Sequence, residues 1–421
     1  MLIVIFRVGV HIVLPGLNPL ILKAGQSSNG ILGMINAFSG GAFDQASIFA
    51  LGIMPYISAS IFMQLMTVLV PKFQKMQKEG ESGRKKINQY TRYLTVAVTA
   101  LQASAYVSYL TKLHHDSMIV GFQPYFWLSS IVLLTAGTLF VMWMGEKITD
   151  KGLGNGTSLI IMIGILGRLP QNLAQELTAK STRSGNILVF ILEIAILIAI
   201  IMGCILLIQG VRKVPVNYAK QLVGSRQIGG GGARQFLPLK VNSAGVMPII
   251  FAQAIMFLPT LVTLGSQTAG AQTVSRIFTD HRDPWYMLIY SVVVIGFTFL
   301  YTALIFNPKQ IADNLKQNNG FIPGVKPGQP TADYIGSVMD KITFPGAVLL
   351  AFVGILPGIA QTMGVTQGFS TFFGGTSLLI MVGVILDTLQ QIETQLLMRQ
   401  YDGLMKSGRI QGRQTTSAVQ Y

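Results

Sequence analysis

Reactive side chains are few in this sequence and badly spaced for catalysis. The four histidines are His11, His114, His115 and His281, and apart from the adjacent pair none has the spacing of metal ligands on one element. The lone Cys204 lies in an apolar run, so it implies neither a disulfide nor a cysteine-ligated metal. The GLGNG at 152–156 lacks the strand and spacing of a dinucleotide fingerprint, and no GxxxxGK phosphate loop occurs. No cofactor, no metal and no intrinsic enzymatic activity are expected. What does recur is apolar. GTSLII, from Gly156, returns as GTSLLI from Gly375, 219 positions later, and GIMPYI, from Gly52, returns as GVMPII from Gly245, 193 positions later. Ile57 and Ile250 each stand two residues after their proline, and Ile161 and Ile380 each stand five residues after their glycine. Four branched aliphatic side chains at matched positions could do physical rather than covalent work, because an apolar constriction stops water and ions by dewetting. Ordinary helix packing by small residues accounts for the phrases equally well at this point.

Elements that could position such residues follow from composition. With 51% hydrophobic and 11% charged residues and a mean hydropathy of +0.54, much of the chain belongs in lipid rather than water. Stretches near the ~20 residues that cross a bilayer as a helix run over 48–70, 91–110, 124–145, 187–208, 243–265, 285–306, 343–363 and 373–397, with shorter ones at 156–170 and at the N-terminus. That gives ten spans, five per half. The first, Met1 to Leu14, is short and carries Arg7 and His11; it reads as a truncated start rather than a signal peptide, since no small-residue cleavage site follows.

With the N-terminus inside, 23 lysines and arginines fall in cytoplasmic segments and 7 on the opposite side, with Arg7 left within the first span. This asymmetry supports both termini being cytoplasmic and makes the net charge of +15 mainly a topological signal, with a second use in docking anionic lipid or ribosomal RNA. An odd number of spans per half inverts the second half relative to the first and places a functional site at their interface. The halves are expected at 1–185 and 186–421, and the proline of each GxMP phrase is expected to kink its span.

Seven phrases, FSGGAFDQASIFALGIMPYISASI, KEGESGRKKINQYTRY, GEKITDKGLGNGTSLI, LPLKVNSAGVMPIIFA, FNPKQIADNLK, FIPGVKPG and FFGGTSLLI, resemble in this order those of the SecY family, the channel subunits of the bacterial Sec translocon. The resemblance runs from about Phe6 to about Tyr401. It implies an all-α polytopic membrane protein of the bacterial cytoplasmic membrane. Ten transmembrane helices would form two inverted five-helix halves around a central hourglass pore, with a re-entrant plug helix. The implied function is a protein-conducting channel that passes unfolded secretory proteins and releases apolar segments sideways into lipid.

The pore-ring positions carried over are Ile53, Ile57, Ile161, Ile250 and Ile380, with Thr157 where the family usually has isoleucine. That threonine puts a hydroxyl at or beside the constriction unless a carbonyl one turn back takes it. The plug maps to about 35–47, with Phe38, Gly40, Gly41 and Phe43, and the lateral gate to the two GxMP spans, with Gln64 and Gln253 as candidate polar contacts across the seam. The cytoplasmic loops 211–242 and 307–341 carry Arg226, Arg234, Lys240, Lys309 and Lys326 as candidates for docking SecA or the ribosome. Lys326 stands where the family usually has arginine, so the charge is kept and the bidentate fork lost. Further implied partners are SecE, SecG, signal sequences and secretory precursors.

Two other classes remain to be weighed. A secondary transporter also uses inverted repeats and broken helices, but it places ionisable groups at mid-membrane. Here Asp387, Glu393 and Glu193 lie toward the ends of their spans. A membrane scaffold without a conduit explains packing but not the matched isoleucines.

Overall fold

The computed structural model describes residues 1–17, 39–113, 123–152, 154–183, 187–218, 222–223, 226–227, 235–263, 278 and 282–406. Helix occurs at each of the ten expected places. In the first half these are α1 (Leu2–Gly9), α2 (Met54–Leu69) with the short α3 (Pro71–Lys78) after it, α4 (Glu81–Leu113), α5 (Gln123–Lys151), and the pair α6 (Gly156–Leu166) and α7 (Leu169–Arg183). The second half holds α8 (Ile187–Gln209), α9 (Met247–Thr263), α10 (Pro284–Ile305), α11 (Pro308–Gln317), α12 (Gln329–Thr362), α13 (Gln367–Ser370) and α14 (Gly375–Lys406). Among the described residues, five helical stretches are by themselves long and apolar enough to cross a membrane, and α2 with α3, bent by 99°, would make a sixth if the two are counted as one broken span. The polar α4 settles among apolar neighbours because its buried threonines bond within the helix. Thr91, Thr95 and Thr99 each donate to the carbonyl four residues back, at 2.6 to 3.0 Å.

The repeated phrases turn out to be helix starts. Pro55 lies in the first turn of α2 and Pro248 is the second residue of α9. The expected kink is therefore corrected: a proline in the first turn has no intrahelical N–H bond to lose, and its fixed φ suits a helix beginning there. The span expected over 48–70 accordingly becomes helical only at Met54. Each proline follows a glycine in left-handed backbone, Gly52 at φ +54° and Gly245 at φ +64°. A side chain is disfavoured there. GTSL opens α6 and α14 in the same way, and the Asn155 side chain caps α6 by accepting from the Thr157 and Ser158 N–H groups.

Beyond the helices, the two long basic loops fold together. Strands β1 (Val211–Tyr218), β4 (Gln235–Lys240) and β5 (Gly320–Phe321) form an antiparallel sheet in the order β4-β1-β5, with Val211 opposite Lys240 and Asn217 opposite Phe321. The hairpin β2 (Leu222–Val223) and β3 (Arg226–Gln227) lies between β1 and β4 in the chain. Alternation supplies the core, since Val214 and Val216 point to one face of β1 and pack with Leu239, Leu315, Ile322, Ile335 and Met339. Helix α12 starts at Gln329, well before the apolar stretch at 343, because its first turns cover this sheet unit rather than crossing lipid.

Candidate functional site

Two helix starts from each repeated phrase bring the matched isoleucines toward one place. Ile53 is the residue before α2, Ile161 sits on α6 and Ile380 on α14, and they are 4%, 6% and 8% exposed within a single apolar cluster. Ile57 of α2 packs against the same cluster. Val141 and Met144 of α5 and Phe369, Phe372 and Phe373 from the stretch before α14 complete it, so both halves of the chain contribute. Ile250, half-buried on α9, is not among the residues of that cluster. Thr157 spends its hydroxyl locally: it donates to Asn155 Oδ1 at 2.6 Å, inside the cap of α6. Of the two alternatives, a hydroxyl left at the constriction or one taken by a carbonyl one turn back, neither describes this bond, because the partner is the cap asparagine.

One flank of the aliphatic cluster is covered by the stretch after Ser39. The helix expected over 35–47 is described only from Ser39, and there it is a run of turns. Gly40 at φ +67°, Gly41 at φ +95° and Ala46 at φ +45° interrupt any regular helix. Phe38 lies outside the described residues. Gly40, Gly41 and Phe43 are buried, and Ala42 belongs to the aliphatic cluster itself. Phe43 packs on Tyr106, whose hydroxyl donates to the Phe43 carbonyl at 2.6 Å.

Gln64 reaches between the halves, because its Oε1 accepts from the Tyr301 hydroxyl of α10 at 2.7 Å. Gln253 stays within the second half, its amide 3.3 Å from the Thr376 hydroxyl of the second GTSL phrase. Neither Tyr301 nor Thr376 was legible as a partner, since each is remote in sequence and unremarkable in type.

Of the basic candidates, Lys240 on β4, Lys309 at the start of α11 and Lys326 after β5 are exposed on the sheet unit. Arg226 lies on β3, and Arg234 lies outside the described residues. Among the described residues no group of histidine, cysteine, aspartate and glutamate could hold a metal ion. Asp387, near the middle of α14, and Glu393, farther along it, are both exposed. Glu193 is buried and paired with Lys180 at 2.9 Å.

With this geometry in place, comparison with known proteins is informative. The family model described as SecY matches residues 47–389. The protein translocase subunit SecY of Streptomyces scabiei is 41% identical over 419 residues, covering 96% of this chain and 95% of that relative. Among solved structures, one described as the structure of a protein conducting channel aligns with a TM-score of 0.62 at 15% identity, covering 93% of this chain and 90% of the other. Sec61 in the canine ribosome-channel complex from the endoplasmic reticulum aligns with a TM-score of 0.60 at 16% identity, with the same coverage.

Proposed function

The chain belongs to the SecY family of protein-conducting channels, and on that premise we propose how its own residues seal, open and dock the conduit. The observation that carries the reading is that Ile53, Ile161 and Ile380 are buried in one apolar cluster, with Ile57 packed against it, at or near helix starts of both halves. Such a ring excludes water and ions at rest, while branched side chains part around a passing chain without asking for a particular sequence. Ile250 of α9 is assigned to the ring by its matched position two residues after Pro248, and Thr157 lies beside the constriction with its hydroxyl already satisfied. The turns from Ser39 to Ser47 act as the plug that backs the ring. The halves are 1–185 and 186–421, inverted with respect to each other.

The lateral gate lies between α2 and the pair α9 and α10. A signal sequence is an apolar helix, and a sideways opening lets it enter lipid at roughly 0.8 kcal/mol per buried methylene. The Gln64–Tyr301 hydrogen bond holds this seam shut. Tyr301→Phe removes it at a net cost of about 1 kcal/mol to the closed state. The expected outcome is a several-fold gain in export of precursors with weakened signals, and an unchanged signal requirement would show that the bond does not close the gate.

The protein sits in the bacterial cytoplasmic membrane with both termini and the sheet unit in the cytoplasm, in keeping with the basic asymmetry of the loops. It has no chemistry of its own to drive transport, so energy comes from SecA, from the translating ribosome or from the membrane potential. SecE and SecG complete the membrane complex, secretory precursors are its cargo, and anionic lipids surround its basic rim. Docking of SecA or the ribosome falls to the exposed Lys240, Lys309 and Lys326 of the sheet unit together with Arg226 of β3, with Arg234 a candidate by its place in the basic loop sequence; the structure described as Sec61 in the canine ribosome-channel complex has a protein of this fold beside a ribosome. Charge reversal of Lys326 and Arg226 together is expected to slow SecA-driven import into proteoliposomes by about ten-fold or more, while the melting temperature stays put. Unchanged import kinetics would remove these residues from the docking face.

A further inference from the structure

Arg7 lies inside the short apolar run at the N-terminus, and an ionised side chain at such a position reads by default as functional. It is part-buried and turned onto backbone carbonyls. Its Nη1 donates to the Gly40 carbonyl at 3.1 Å and its Nη2 to the Gly167 carbonyl at 3.0 Å, so one planar fork bridges the turns after Ser39 and the end of α6. The Gly167 carbonyl lies at the helix C-terminus, where the backbone dipole favours a cation. A second arginine follows directly: Arg168 Nη2 lies 3.5 Å from Asp44 Oδ2, with the aspartate side chain 10% exposed.

The backbone is shaped for this approach. A Cβ on Gly167 would lie 2.6 Å from the Arg7 guanidinium carbon, and one on Gly40 would lie 2.9 Å from the Gly164 Cα. At Gly40 the contact is backbone against backbone, so a side chain there would push the turns off α6, whereas a side chain at Gly167 would displace the Arg7 guanidinium from its seat.

We infer that Arg7 and Arg168 are positioning residues that form a polar latch, holding the turns from Ser39 to Ser47 against the break between α6 and α7 and so setting how readily the resting channel opens. The latch rests on the reading of those turns as the plug. Apolar packing around Ala42 and Phe43 provides adhesion without a fixed place, whereas two directed carbonyl bonds and one shielded ion pair fix the seat. The same few bonds can be exchanged for water when the segment leaves, which suits a part that must move and return. Asp44 and Arg168 are the informative pair, because their interaction can be inverted without changing the apolar packing.

The test uses the full chain with its membrane partner subunits in planar bilayers. Arg168→Asp and Asp44→Arg are each expected to raise resting ion conductance by about ten-fold, the ratio that corresponds to about 1.4 kcal/mol, and to relax the demand for an intact signal sequence. The double exchange is expected to bring conductance back toward the unaltered channel, and Arg7→Lys to leak less than Arg7→Gln. Ion-tight single variants, or a double exchange as leaky as its parents, would overturn the latch. Deletion of residues 35–47 separates the two levels of the argument: a leaky deletion beside ion-tight single variants rejects the latch and keeps the plug, whereas an ion-tight deletion rejects both.

Discussion

Replacing Ile161 and Ile380 together with asparagine is expected to produce a channel that conducts ions at rest and accepts precursors with defective signal sequences. Both side chains are almost wholly buried in the aliphatic cluster, so each amide would enter the closed state without a hydrogen-bond partner. An unsatisfied buried polar group costs about 1 to 3 kcal/mol, and each 1.4 kcal/mol is about a factor of ten in an equilibrium. Two sites together therefore shift the balance from closed to open by ten-fold at least. The wetted state gains because water supplies the missing partners. Single-channel recording beside a melting curve checks this. An ion-tight double variant with lowered stability would mean that the isoleucines pack helices and do not seal.

Gly156→Val is expected to abolish accumulation of the folded protein, a loss of a different kind. A Cβ at Gly156 would lie 2.1 Å from the Gly145 carbonyl oxygen and 2.7 Å from the Ile148 Cβ, so α6 must move off α5. Overpacking typically costs about 1 to 3 kcal/mol where side chains can yield. Here the obstacle is backbone and the cost rises above that range. Its repeat partner needs glycine for another reason. A Cβ on Gly375 would find only Pro357 Cγ, at 3.6 Å, but the backbone there is left-handed, with φ +67°. Gly375→Asn, the side chain best tolerated in that region, is therefore expected to accumulate normally while Gly156→Asn fails. Equal abundance of the two asparagine variants in membranes would refute the distinction.

That contrast shows how far the sequence can be read. The repetition of the phrase was visible, and so was its placement at the heads of apolar runs, but the same glycine serves close approach in one copy and backbone handedness in the other. Five of the helix positions were legible from length and hydropathy by themselves, whereas the polar α4 holds its place through threonines bonded within the helix. The start of α2 was not legible, since Pro55 looked like a kink until its place in the first turn was known. The sheet was hidden because Val214 and Val216 alternate within a segment whose lysines and arginines signal topology. Of the site, Ile53, Ile57, Ile161 and Ile380 lie in or against one apolar cluster, while Ile250, matched to Ile57 by spacing, lies outside it. The partners that give polar side chains their meaning, Tyr301 for Gln64 and Gly40 and Gly167 for Arg7, are tertiary facts without a local signature.

A translocating chain is expected to run through the ring of isoleucines rather than along any other surface. A photo-crosslinking residue placed at Ile57 or Ile161, with Leu188 as the control position on the outward face of α8, where it is 81% exposed, tests this directly against a secretory precursor arrested in mid-transit. Adducts at 57 and 161 and none at 188 are predicted. Adducts at 188, or none at either ring position while the precursor is demonstrably arrested, would contradict the account.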